Sequence, residues 1–290
     1  VAPSKLARVI LWMVGALLSF SVMAVSIREL SRGGLSIFEI LAIRSGVALF
    51  VMLMLLVIRP ELRSLTRTRR LPLHAVRNVV HYTSQYAWAF SLTLLPLATV
   101  FALEFTMPAW TALLAIWLLR EKMTAGRVGV VVLGLVGVLV ILRPGVTSFN
   151  PASLLVLAAA FGYAITMITT KKLTSTETNF SIIFWMAAIQ FPLSMLGSHP
   201  SQFLHMGLHD ILPAVGVGAA GLSAHYSLSN AFRAGDATLV VPMDFMRIPL
   251  IAVVGWALYG EKLDIFVLLG ALIIIAGVLW NLRAERASTV

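Results

Sequence analysis

Long apolar runs, each broken by a few polar residues, recur from one end of the chain to the other. Read against that punctuation, ten apolar spans emerge at about 8–27, 36–58, 73–95, 97–119, 125–143, 152–171, 179–197, 210–234, 237–259 and 264–282. Each is long enough, or nearly so, to cross a hydrocarbon layer of roughly 30 Å as a helix. The first run, "LWMVGALLSFSVMAVSI", is too long for a signal peptide core and is read as a retained helix. The segment between the second and third spans, "RPELRSLTRTRR" at 59–70, is the only strongly charged stretch. This pattern predicts an all-α polytopic membrane protein of ten transmembrane helices.

Composition agrees and adds orientation. The chain is 59% hydrophobic and 12% charged, against about 25% charged in soluble domains. A net charge of +10 would suggest nucleic acid in a soluble protein; here it reflects basic cytoplasmic loops, and no nucleic-acid partner is expected. With the N-terminus inside, cytoplasmic segments hold Lys5, Arg8, Arg59, Arg63, Arg67, Arg69, Arg70, Arg120, Lys122, Arg127, Lys171, Lys172, Arg233, Arg283 and Arg286. The outer side holds only Arg28, Arg32, Arg143 and Lys262. That asymmetry predicts both termini in the cytoplasm. Cysteine is absent, which excludes disulfides and thiolate metal sites.

The second half of the sequence answers the first at a shift of 140 positions. "QYAWAF" at 85–90 faces "HYSLSN" at 225–230, "LEFTMPAW" at 103–110 faces "MDFMRIPL" at 243–250, and "LREKM" at 119–123 faces "YGEKL" at 259–263. Glu104 thus stands opposite Asp244, Gly137 opposite Gly277, and Pro108 one residue out of register with Pro249. Two units of five helices follow, 1–143 and 144–290. An odd helix number turns the second unit upside down. Such 5+5 inverted repeats are a recurring plan of secondary transporters, with the substrate near the midplane between the halves.

The paired five-helix units, each with a proline in its fourth helix, a glutamate twelve or thirteen residues later (Glu121, Glu261) and glycines beyond (Gly129, Gly137; Gly270, Gly277), resemble the EamA-type drug/metabolite transporters. The resemblance covers nearly the whole chain. It implies a ten-helix carrier of small metabolites in the bacterial inner membrane, in particular one like the amino-acid exporters of that group, including the aromatic amino-acid exporter. Arg120 precedes Glu121 where Gly260 precedes Glu261, so the two glutamates are read as loop-end residues capping or pairing locally.

Charges within the spans mark the candidate site. Glu104 would lie roughly 10–12 Å deep at about 1.5 Å per residue, with Asp244 at matching depth from the other face. A charge at that depth costs about 2.5–3.5 kcal/mol on insertion scales and must face protein or a wet cavity. Arg247 follows Asp244 by three residues, a spacing that allows an ion pair on one helix face. Arg44 is the candidate partner of Glu104, and Arg77 can snorkel toward the cytoplasm. Span three carries Asn78, His81, Gln85 and Trp88 on one face, flanked by Tyr82 and Tyr86. Span eight offers His225, Tyr226, Ser229 and Asn230 at corresponding depth. The expected substrate-binding set is therefore His81, Tyr82, Gln85, Tyr86, Trp88, Glu104, Tyr226, Asn230, Asp244 and Arg247.

Other motifs carry less. "GVGAAG" at 216–221 spells G-x-G-x-x-G inside an apolar span, without the strand and helix opening a dinucleotide site needs. "HMGLH" at 205–209, near His199, lacks the glutamate of a zinc-protease helix. No cofactor, metal or catalytic set is expected. The leading expectation is an amino-acid exporter working by alternating access, not an enzyme; the first alternative is uptake of a vitamin or nucleoside-like metabolite. An integral-membrane lipid enzyme, the reading from another class, lacks a nucleophile–base pair or metal cluster. Two carboxylates permit proton coupling without requiring it, and ten helices can enclose a cavity without an oligomer.

Overall fold

The structure, a computed structural model, describes residues 5–119, 124–143, 150–235 and 237–287. Among these residues it is wholly helical. The elements are α1 (Lys5–Arg32), α2 (Ile37–Ile58), a 3₁₀ turn at Pro60–Thr66, α3 (Leu71–Leu94), α4 (Leu97–Glu104), α5 (Met107–Leu119), α6 (Ala125–Leu142) and α7 (Ala152–Thr174). There follow α8 (Asn179–Leu196), the short α9 (Pro200–Leu204), α10 (Leu208–Ala234), α11 (Ala237–Asp244), α12 (Arg247–Tyr259) and α13 (Ile265–Ala287). Eight helical segments among the described residues are long and apolar enough to cross a membrane, the one at Leu97–Trp117 running through α4 and α5. α3 is long enough at 24 residues, but His74, Arg77, Asn78, His81 and Gln85 lower its apolar character. α12 is apolar but only 13 residues long.

The main departure from the expected spans is that the fourth and ninth are not continuous helices. Span four breaks at Phe105 and Thr106, between α4 and α5, and span nine at Phe245 and Met246, between α11 and α12. The cause is local. Pro108 has no N–H to give the Glu104 carbonyl four residues back, and Pro249 has none for Phe245. The chain tightens into shorter turns instead, with Thr106 N–H donating to Leu103 O at 3.1 Å and Ile248 N–H to Phe245 O at 3.1 Å. Non-helical backbone at this depth is tolerated in membranes only where protein or a wet cavity surrounds it. α1 also runs on to Arg32, beyond the expected end near 27, which brings Arg28 into the helix.

Packing follows the repeat. α1 lies along α10 as α3 lies along α7; α2 meets α8, and α6 meets α13. The α6–α13 crossing is made of backbone: a Cβ on Gly137 would come within 2.7 Å of the Gly270 carbonyl, and one on Gly270 within 2.6 Å of the Gly137 carbonyl. Small residues of this kind let membrane helices approach where no hydrophobic drive holds them together. At the centre, the break residues Phe105 and Phe245 touch each other, ring centroids 4.9 Å apart.

Candidate functional site

A cavity of about 320 Å³ surrounds the two breaks. Its walls come from Phe20 of α1, Arg44 of α2, Arg77, His81, Gln85 and Trp88 of α3, Tyr163 and Thr166 of α7, and His225 of α10, with Glu104, Asp244 and Arg247 at the broken ends. Glu104 closes α4, Asp244 closes α11 and Arg247 opens α12. The Asp244–Arg247 pair therefore bridges the break instead of lying along one helix face.

Arg247 organises the charge. Its Nη2 donates to Asp244 Oδ1 at 2.5 Å, and its Nη1 lies 3.7 Å from Glu104 Oε1. The guanidinium sits over the Phe20 ring, 3.7 Å from its centroid, a cation–π contact that grows with desolvation. Trp88 Nε1–H donates to Glu104 Oε2 at 2.8 Å. One cation thus joins the carboxylates of both repeats.

Six of the expected residues line this cavity: His81, Gln85, Trp88, Glu104, Asp244 and Arg247. Tyr226 and Asn230 line a neighbouring cavity of about 590 Å³, which shares Arg44, Arg77, His81 and His225 with the first. Tyr82 and Tyr86 line neither. Tyr82 is buried in the apolar core, and Tyr86 packs on Phe38 with ring centroids 4.7 Å apart. They lie off the 81–85–88 stripe, and the turn of the helix carries them toward neighbours instead of the cavity. Arg44 does not pair with Glu104, whose partners are Arg247 and Trp88. Arg77 does not snorkel either: it is buried, with Nε donating to Thr170 Oγ1 at 2.9 Å and Nη1 to Asn78 Oδ1 at 2.6 Å.

A second polar cluster was misjudged from sequence. Glu261 makes no merely local contact. It forms an ion pair with Arg28 of α1 and accepts from the Leu97 N–H at 2.9 Å, where α4 begins. Arg28 in turn donates to the carbonyls of Leu92 at 2.8 Å and Leu95 at 2.6 Å, at the end of α3. The rings and charges stack here as well, with Arg28 and Arg32 each 4.6 Å from the centroid of Tyr259. This latch ties α1, α3, α4 and α12 at one end of the molecule. Nothing in a pairing 233 residues apart is periodic, so only the repeated glutamate hinted at it. Its repeat counterpart, Glu121, lies outside the described residues, as does Arg120.

The histidines at 199, 205 and 209 gather no metal set: His205 Nδ1 is 2.8 Å from Ser201 O, and no group of three ligating side chains occurs among the described residues.

The EamA-like transporter family model matches the sequence twice, over residues 7–143 and 150–283. The chain belongs to the EamA-like transporter family. Among its relatives, an S-adenosylmethionine uptake transporter of Rickettsia prowazekii (strain Madrid E) is 29% identical over 77% of this chain and 75% of its own. A riboflavin transporter of Vibrio cholerae is 28% identical over 95% of this chain and 94% of its own, and one of Brucella anthropi 28% over 86% and 89%. A solved crystal structure shares the fold, with a TM-score of 0.58 at 19% identity over 96% of this chain and 97% of that one. This EamA-like chain is a multi-pass protein of a bacterial inner membrane. The named relatives favour the uptake alternative over amino-acid export.

Proposed function

We infer that this protein imports an amphipathic metabolite of nucleoside or vitamin size, of the S-adenosylmethionine or riboflavin type, by alternating access. The observation that carries the reading is the cavity at the paired helix breaks. It shares walls with neighbouring cavities of about 590 and 440 Å³, within the range of sites for drug-sized ligands. Aromatic walls suit a planar ring, and the Glu104–Arg247–Asp244 set suits a charged group carried past it. The relatives, transporters of S-adenosylmethionine and of riboflavin, point the same way.

The same reading takes ten membrane segments in a 5+5 inverted repeat, the units being 1–143 and 144–290, with both termini cytoplasmic. α3 and the α11–α12 pair are the two segments beyond the eight clear spans. Support comes from the two family matches, from helix breaks 140 positions apart, and from the distribution of basic residues. In this orientation the Arg28–Glu261 latch seals the outer side and the cavities open inward.

Proteoliposomes test the reading. Labelled S-adenosylmethionine or riboflavin should accumulate with saturable kinetics and exchange against unlabelled substrate, and Glu104→Gln should cut the rate by tenfold or more (about 1.4 kcal/mol). Absence of flux for both would sink the assignment. A pH dye trapped inside the vesicles reports coupling: alkalinisation or acidification that tracks flux marks a proton-linked carrier, and a flat trace marks a facilitator.

A further inference from the structure

We propose that Arg44 and Arg77 form a subsite for an acidic group on the transported molecule, so that the substrate carries a carboxylate or phosphate. The inference rests on the uptake reading above and narrows its substrate class.

The two arginines lie on the wall shared by the central cavity and the 590 Å³ side cavity. Each is only 7% exposed. The stem of Arg44 runs against α10 at Gly221, where a Cβ would stand 2.8 Å from Arg44 Nε. Glycine at 221 therefore makes room for the side chain to reach the cavity. What the arginines lack there is an acid. The residues lining the side cavity include Arg44, Arg77 and, at its exposed edge, Arg233, but no aspartate or glutamate. The two carboxylates of the central cavity are both engaged by Arg247.

Three of the unmet hydrogen-bonding atoms on the cavity walls are donors. Arg44 Nε and Gln190 Nε2, buried on the cavity walls, have no acceptor, and neither has Arg247 Nε. All three are obligate donors, since guanidinium and amide N–H groups cannot accept. Buried guanidinium groups without a counter-charge are costly in a membrane protein and mark binding function. A carboxylate or phosphate supplies what is missing, because arginine binds both through paired, charge-assisted hydrogen bonds. The central cavity reaches from Arg44 to Glu104. One molecule can therefore hold its acid at Arg44 and Arg77 and its ring or cationic part beside Trp88 and Glu104.

The test compares molecules that differ in the acid alone. Binding to the purified full-length protein is measured for S-adenosylmethionine against its decarboxylated form, and for riboflavin 5′-phosphate against riboflavin. The wild type should bind the acid-bearing member of at least one pair about tenfold tighter or more, the worth of a charge-assisted contact. Which pair discriminates tells carboxylate from phosphate. Arg44→Gln should collapse that ratio, Arg44→Lys should restore part of it, and Gly221→Ala should weaken it without removing the charge. Equal binding of both members of both pairs by the wild type overturns the subsite and leaves uptake intact. If no pair binds at all, the uptake reading has failed, and inorganic phosphate and acetate decide the subsite at matched ionic strength. Raised thermal stability in the wild type but not in Arg44→Gln sustains it; no difference between the two proteins overturns it.

Discussion

The two broken helices share a sequence pattern but not a setting. At one end α4 packs against α12, and Glu261 binds both Arg28 and the first N–H of α4. The repeat would give α5 and α11 the same relation at the other end. There the two helices face each other across a cavity of about 440 Å³, lined by Met107, Thr111 and Ala115 on one side and Val241 and Asp244 on the other. Equal halves in unequal contact are what alternating access requires, because exchanging the two arrangements would close one mouth and open the other. The Phe105–Phe245 contact and the Glu104–Arg247–Asp244 set join the two breaks between those ends. The site therefore belongs to neither end.

Substitutions can break this comparison in graded ways. The largest effect is expected at the charge set that joins the breaks. Arg247→Gln leaves two mid-membrane carboxylates without their cation, a loss of about 3–5 kcal/mol by analogy with broken buried pairs; thermal unfolding in detergent should show it, together with lost transport. Next comes the latch. Glu261→Gln keeps the volume but removes the ion pair with Arg28, and should cost about 1.5–3 kcal/mol as a lost charge-assisted contact, while making a cysteine at Ala102, fully buried between α4 and its neighbours, open to thiol reagents. A smaller loss, about 1–3 kcal/mol from overpacking, is expected of Gly137→Ala at the α6–α13 crossing, measured by unfolding. The smallest is Tyr86→Phe. Because Tyr86 packs on Phe38 outside the cavities, substrate affinity should stay within about twofold, the reach of about 0.5 kcal/mol for a change away from such features.

Sequence reasoning could see what is periodic. Apolar runs gave the helices, and the 140-residue shift paired Glu104 with Asp244. Spacing of three and four put His81, Gln85 and Trp88 on one wall. The breaks were harder, since Pro108 and Pro249 announce a missing hydrogen bond but not whether the helix bends, kinks or stops. Partner choice was not legible at all. Arg44 and Arg247 are both buried cations near mid-span, and only the three-dimensional arrangement assigns Glu104 to Arg247 and leaves Arg44 facing the cavity. The latch failed for the same reason: a glutamate just outside an apolar run looks like a loop-end residue until Arg28 is folded onto it. Tyr82 and Tyr86, expected to flank the stripe, leave the helix at angles that take them into apolar packing and to Phe38.

The most direct test of the central claim uses the absence of native cysteine. Single cysteines at Ala102, in the helix whose first N–H the latch holds, and at Ala115, on the wall of the cavity of about 440 Å³, are labelled with a membrane-impermeant thiol reagent from each side of oriented vesicles. The account predicts that Ala115→Cys reacts from the cytoplasmic side and that Ala102→Cys reacts from neither until the latch is cut by Glu261→Gln. Labelling of Ala102→Cys from outside in the intact protein, with Ala115→Cys protected, would contradict it.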